Sequence, residues 1–308
     1  MHDAVAVHDR YRLVENATAT RILDSCFEYL KENSPFLVQR RYISIISGRD
    51  EGALGWLAIN YLSRRLRGQA NHTHGTLGAI EMGGASSQVT VEIDERTAVA
   101  EQGEHPSRYV LRLGPQVYRL YTHSYLEFGM EAARERYNEA AAHSAQDPCL
   151  PLGFTKELGR RVGPANAYHG REVGDVMGTG NLSACWAAVQ PLFASERPCP
   201  AEPCSFAGVY QPEWWRRPGH GGMVLFENFF HSASQTGVRG LEEGVSIDAL
   251  LAKGREYCAR PFEEILQRRE QLYPAMEAGT EPKCALRITS ACTRPALNMT
   301  LKRPPLLR

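Results

Sequence analysis

The chain predicts an α/β fold, and three stretches carry that prediction. Tyr42 to Ile46 is an apolar run that breaks at Ser47-Gly48, and the acidic turn Asp50-Glu51-Gly52 leads into a helical period. Leu54, Leu57, Ala58, Tyr61 and Leu62 recur at the spacing of one helical face, so this segment reads as strand, turn and helix. Gly78-Ala79-Ile80-Glu81-Met82-Gly83-Gly84-Ala85-Ser86-Ser87-Gln88 runs on into Val89-Thr90-Val91-Glu92-Ile93, two strands joined at a Gly-Gly turn. Glycine suits that turn because it lacks the Cβ that forbids tight conformations and close backbone approach. Tyr109 to Leu113 and Val117 to Tyr121 then alternate as strands do. Carboxylates and small hydroxyl and amide side chains thereby collect at strand ends and turns, where α/β proteins place their sites.

Composition narrows the class. At 308 residues the chain can form one large domain or two small ones. Lysine plus arginine equal aspartate plus glutamate at 35 each, which argues against nucleic acid or an acidic membrane surface as partner. A hydrophobic share of 43% fits a globular protein, and no apolar run is long enough to span a bilayer. Met1 to Asp9 is too polar for a secretory signal. The 8 cysteines stand among Pro- and Gly-rich segments, a pattern that favours disulfides over a metal site. Cys199-Pro-Ala-Glu-Pro-Cys204 could be half a zinc site, but no second close pair completes it. Sequons at Asn16, Asn71, Asn181 and Asn298 are compatible with a glycosylated lumenal or extracellular protein.

The residues at the two turns suit one task. Hydrolysis of a polyphosphate has no carbonyl to trap, so it depends on positioning water and screening negative charge. Backbone N–H groups of Gly83-Gly84-Ala85 can face phosphate oxygens, and the Ser86 hydroxyl and Gln88 amide can orient a water. Glu51 can accept that water's proton, and Glu81 can hold a hydrated divalent cation. On this pattern alone a Gly-Gly pair is equally well only a hairpin turn.

Ile46 to Leu62 resembles the third signature of the apyrase family, the nucleoside triphosphate diphosphohydrolases and guanosine diphosphatases. Gly78 to Gln88 resembles its fourth, G-x-x-D-x-G-G-A-S-x-Q, and the resemblance runs from about Glu15 to Cys258. It implies an actin-like, ribonuclease-H-like ATPase fold, with residues 1–46 a remnant of the N-terminal lobe, 47–285 the C-terminal lobe and 286–308 an irregular tail. The implied activity is hydrolysis of nucleoside tri- or diphosphates to orthophosphate with Mg²⁺ or Ca²⁺. Glu51 is then the base, Ser86 and Gln88 hold the water, and Gly83, Gly84 and Ala85 bind phosphate. Glu81 acts on the metal through its water shell, although the family usually has aspartate there and glutamate adds a methylene.

The remaining elements follow in order. Asn16-Ala17-Thr18-Ala19-Thr20-Arg21-Ile22-Leu23 opens an amphipathic helix and is similar to the second signature, A-T-A-G-M-R-L-L, with one residue missing. Thr18 and Arg21 then either help to place phosphates or belong to a Thr-capped helix start. His123, beside aromatics, is expected to be packed and hydrogen-bonded. A helix is expected through Ala132 to Tyr137. Gly178-Thr179-Gly180-Asn181 lacks the Lys-Ser/Thr of a P-loop, and its likeness to the family's G-T-G-N implies a structural role. Phe230 or His231 falls where the family stacks an aromatic on the nucleotide base, whereas Phe226 and Phe229 are expected in a core strand. Two further helices carry Ile247-Leu250-Leu251 and Phe262-Ile265-Leu266.

The resemblance implies a Cys199–Cys204 disulfide and points to a secreted protein or one of the secretory-pathway lumen (Golgi or endoplasmic reticulum). Cys149 with Cys185 and Cys258 with Cys284 are further candidate pairs, connectivity not being readable from sequence. The family's earlier phosphate loop, D-x-G-S-S-x-T, and its fifth signature are not found. Residues 1–308 alone are therefore expected to show little nucleotidase activity. The alternatives are a folded, non-catalytic nucleotide-binding or structural relative, and a sugar-kinase or chaperone-type ATPase of the same superfold, against which the cysteines and the Glu51 block argue.

Overall fold

A computed structural model of the chain describes residues 5–6, 12, 14–69, 75–94, 107–141, 144–156, 176–199, 202–214, 219, 221–238 and 245–272. In chain order the elements are β1 (Val5–Ala6), α1 (Asn16–Asn33), β2 (Ile43–Ser44), α2 (Gly48–Leu62), β3 (Gly78–Met82), β4 (Ser86–Glu92), β5 (Arg108–Leu113) and β6 (Gln116–Leu126). There follow α3 (Met130–Ala140), β7 (Gln146–Asp147), β8 (Thr155–Lys156), β9 (Val176–Gly178) and α4 (Leu182–Val189). The last are β10 (Met223–Glu227), α5 (Asn228–Thr236), α6 (Ile247–Cys258) and α7 (Phe262–Leu272). The chain divides into two compact units, residues 1–132 with 212–226, and residues 133–211 with 227–308.

The first unit is built on a five-stranded sheet in the order β10-β3-β4-β6-β5. The β3/β4, β4/β6 and β5/β6 pairs are antiparallel. Every residue of the central β4 is buried, as expected of a strand covered on both faces. Register matters most here, because residues directly opposite one another share a face. Glu81 pairs with Gln88, and Gln88 with Ser124, so three strands contribute one polar row. Ala79, Thr90 and Thr122 form the next row on the same side.

Helix α2 lies over that face. It starts where it does because Ser47 caps it, its hydroxyl accepting from the Asp50 N–H at 3.1 Å. Asp50 and Glu51 in the first turn are favoured by the positive end of the helix dipole. The buried side of α2 is Gly52, Ala53, Trp56 and Asn60. This corrects the face marked by periodicity, since Leu54 is 49%, Tyr61 62% and Leu62 79% exposed. The cause is the glycines. A Cβ at Gly52 would fall 2.6 Å from the hydroxyls of both Thr90 and Thr122, and one at Gly48 2.3 Å from Ser124. The helix sits too close to the sheet for a side chain between them, and the large apolar residues turn outward.

Further along α2, bulk returns. Trp56 packs edge-on against Tyr118 with ring centroids 5.4 Å apart, and Ala53, Leu66, Ala79 and Leu120 complete the cluster. Burying each large side chain contributes about 1.5–3 kcal/mol. The buried Asn60 is satisfied by donating to the Trp56 and Leu77 carbonyls at 2.9 and 3.0 Å and accepting from the Leu77 N–H at 2.8 Å. It thereby pins the start of β3 to α2.

The second unit holds a small sheet in the order β7-β9-β8. A disulfide joins Cys149 to Cys185 on α4. A second joins Cys199 to Cys204, so the zinc half-site is a disulfide, as the family likeness implied. Cys258 is buried, and its candidate partner Cys284 lies outside the described residues. Asn181 caps α4 by accepting from the Ala184 N–H at 3.0 Å, and a Cβ at Gly180 would lie 2.1 Å from the Cys258 carbonyl. That segment is structural, as expected. Leu182, Tyr257, Cys258 and Ile265 form the core of α4, α6 and α7, the last two being the expected helices. Phe229 lies in α5 rather than in a strand, 5% exposed. No helix among the described residues is long and apolar enough to cross a membrane.

Candidate active site

Glu51, Ser86 and Gln88 meet in the first unit. The two N–H groups of Gln88 Nε2 are shared among Glu51 Oε2 at 2.5 Å, Ser86 Oγ at 2.8 Å and Ser124 Oγ at 3.2 Å. Local structure explains the meeting. Glu51 stands in the first turn of α2, and Ser86 and Gln88, two apart on β4, point to the side that α2 covers. The glycine contacts bring the helix down until a carboxylate and an amide touch. Ser86 is 0% and Gln88 2% exposed. Gln88 Oε1 is buried and makes no hydrogen bond to the described residues.

Beside Glu51, Asp50 is held by the Tyr109 hydroxyl at 3.0 Å. Burial, with the Asp50 hydrogen bond and charge, raises the Tyr109 pKa, so the phenol keeps its proton and remains a donor.

Two residues escaped the sequence reading. Arg12 donates from Nη2 to Glu51 Oε2, from Nη1 to Ser86 Oγ at 3.3 Å and from Nε to the Ile46 carbonyl at 3.2 Å. Arg12 lies outside the blocks singled out in the sequence, and its side-chain contacts bring it here. Ser124 was legible in principle, since any strand placed beside β4 in register sets a hydroxyl against Gln88.

The turn at Gly83-Gly84-Ala85 closes with the Gly83 N–H on the Ser86 carbonyl at 2.9 Å. The Gly83 carbonyl accepts from Met130 N–H at 2.9 Å, and the Gly84 carbonyl from Glu131 and Ala132 N–H at 2.8 and 3.1 Å. With those oxygens turned to the start of α3, planar trans peptides direct the Gly84 and Ala85 N–H groups the other way. Gly129 allows the close fit, because a Cβ there would lie 2.4 Å from the Ser86 nitrogen.

Glu81 faces the same side as Gln88, and a Cβ on Gly55 would lie 3.5 Å from its Oε2. The carboxylate is therefore under α2, about one helical turn beyond Glu51. No group of three or more His, Cys, Asp or Glu that could hold a metal is found among the described residues. The donor chemistry fits a hard divalent cation that keeps most of its waters and takes few protein oxygens.

The remaining candidates lie apart from this cluster in the chain. Thr18 is in the first turn of α1, its hydroxyl accepting from Arg21 Nη2 at 3.2 Å. The N-cap is Glu15, with no side-chain cap bond, so the Thr-capped start is not observed. Phe230 and His231 belong to the second unit, on α5, with Phe230 51% exposed and ring centroids 5.7 Å apart. His123 is hydrogen-bonded to Ser107 at 3.1 Å and packed 4.5 Å from the Tyr125 ring, as expected of a structural histidine.

Comparison with known proteins gives the context. The pattern of the GDA1/CD39 (nucleoside phosphatase) family matches residues 9–285. Probable apyrase 4 of Arabidopsis thaliana is 30% identical over 82% of this chain and 49% of its own length. Ectonucleoside triphosphate diphosphohydrolase 2 of Rattus norvegicus is 32% identical over 76% of the chain and 48% of its own. Guanosine-diphosphatase of Schizosaccharomyces pombe is 31% identical over 66% of the chain and 38% of its own. The chain spans about half the length of the first two relatives. Among solved structures, nucleoside triphosphate hydrolases from Neospora caninum superpose with a TM-score of 0.56 at 16% identity, over 96% of this chain and 63% of theirs. The fold is thus the actin-like ATPase fold expected from the sequence.

Proposed function

From the premise that this chain belongs to the GDA1/CD39 nucleoside phosphatase family, we propose that the full-length protein hydrolyses nucleoside tri- and diphosphates, releasing orthophosphate. The observation that carries this reading is the contact of Glu51, Ser86 and Gln88, three groups from two separate motifs with the parts a water attack needs. Ser86 Oγ and the Gln88 amide hold the water, and Glu51 takes its proton as the oxygen approaches the terminal phosphorus. The N–H groups of Gly84 and Ala85, with Gly83 shaping the turn, receive the phosphate oxygens. Glu81 would orient a hydrated Mg²⁺ or Ca²⁺ through its water shell. Such a cation, when bound, screens the charge of the transferring group. Thr18 is the further candidate for a phosphate-binding hydroxyl.

Residues 47–285 would form the C-terminal lobe, and 1–46 part of the N-terminal one. The two disulfides fit an oxidising compartment, and we place the protein outside the cell or in the secretory lumen.

Orthophosphate release from ATP, GDP and UDP by the full-length protein, in millimolar Mg²⁺ or Ca²⁺ and again with excess EDTA, tests the reading. Metal-dependent release that Ser86→Ala lowers by about 10²-fold or more is expected. Release that survives EDTA, or that Ser86→Ala leaves intact, would contradict it.

A further inference from the structure

Arg12 stands where the proposed chemistry should happen. Its guanidinium bridges the proposed base and the proposed water-holding hydroxyl, donating to Glu51 Oε2 and Ser86 Oγ. Its third anchor is the Ile46 carbonyl, just ahead of α2. The side chain is 15% exposed and Glu51 22%, while Ser86 beneath them is fully buried. Gly48 makes the room, since a Cβ there would come within 2.9 Å of Arg12 Nη1. Glu51 Oε2 thus accepts from both Arg12 and Gln88, and Ser86 Oγ does the same. In this arrangement the carboxylate oxygen that should take the water's proton is already engaged.

The charge balance points to what releases it. A polyphosphate approaching Ser86 meets two carboxylates, Glu51 and Glu81, on the same side of the sheet. Arg12 is the cation that the structure puts directly on one of them. Guanidinium and phosphate form strong paired hydrogen bonds, and the contacts to Glu51, Ser86 and Ile46 use three of the five N–H groups of Arg12.

We propose that Arg12 is a substrate-binding residue of this site, exchanging its ion pair with Glu51 for the terminal phosphate of the incoming nucleotide. The exchange does two things at once. It clamps the phosphate on the side facing Ser86, and it frees Glu51 to accept the proton of the attacking water. The inference rests on the reading of the site given above.

A double-mutant cycle tests it. The probe is a non-hydrolysable nucleoside triphosphate analogue, with Kd measured calorimetrically for wild type, Arg12→Ala, Glu51→Gln and the double variant. Arg12→Ala should weaken binding about 10- to 100-fold, the range for a lost charge-assisted hydrogen-bond pair. Arg12→Lys, which keeps the charge but loses the fork, should fall between and guard against a folding artefact. Glu51→Gln should tighten binding when Arg12 is present and do so less when it is absent. If Glu51→Gln fully restores the affinity of Arg12→Ala, Arg12 merely neutralises Glu51 and the proposal is wrong. Equal or tighter binding by Arg12→Ala would make it a lid and overturn the proposal as well. If the wild type fails to bind the analogue, both the reading of the site and this inference fall. If Glu51→Gln abolishes turnover while Arg12→Ala changes neither KM nor kcat, only the inference falls.

Discussion

Glu51 and Gln88 are 37 residues apart in the chain, yet their side chains touch. At this scale Glu51, Ser86 and Gln88 were legible because each belongs to a long block with few alternatives. Arg12 was not, because a single arginine outside the long blocks acquires its partners only through the reach of its side chain. Tyr137 is another residue that sequence reading passes over. It donates to Asp147 at 2.7 Å, and Asp147 also accepts from the Cys149 N–H at 2.8 Å beside a disulfide. Burial first, and then the Asp147 charge and hydrogen bond, push the Tyr137 hydroxyl well above the ordinary phenol range. A group whose folded pKa is raised adds stability that is complete below its unfolded value, here about 10, and that is lost as pH rises beyond it. In denaturant titrations, the stability difference between wild type and Tyr137→Phe should stay constant up to about pH 9 and shrink above about pH 10. The slope there should approach 1.4 kcal/mol per pH unit at most, about the value for one proton. A difference that stays flat to about pH 11 would contradict this account.

Helix α2 shows where element-level reading succeeds and where it fails. The helix itself was legible, but Asp50-Glu51-Gly52, read as a turn ahead of it, lies inside its first turns because Ser47 caps it earlier. Its buried face was not. Periodicity assigns the interior to bulky apolar side chains, but here the glycines seat the helix on a polar row of the sheet and Leu54, Tyr61 and Leu62 face out. The β3–β4 hairpin was legible from its Gly-Gly turn, whereas the support of that turn by α3 depends on contacts across 45 or more residues and left no local trace. Gly52→Ala separates the two kinds of argument. Helix propensity alone favours alanine by about 1 kcal/mol. The added Cβ would sit 2.6 Å from two threonine hydroxyls, and overpacking of this kind costs about 1–3 kcal/mol. The variant should unfold at lower denaturant concentration and lose turnover, because the helix that carries Glu51 must lift from Gln88. A more stable and fully active Gly52→Ala would show that the close seat of α2 is not needed.

For the whole molecule, family and fold were legible, and the family pattern covers residues 9–285. The order of strands in the sheet was less so. The strand at 223–227 returns to it from far along the chain. Such a return depends on long-range pairing, which no local pattern records. The central claim concerns one carboxylate, and it is tested most directly by orthophosphate release from the full-length protein, wild type against Glu51→Gln, at saturating nucleotide and metal. The account predicts a fall of about two to four orders of magnitude with an unchanged circular dichroism spectrum, the scale of losing a general base. Release by Glu51→Gln at close to the wild-type rate would remove Glu51 from the chemistry and contradict the account.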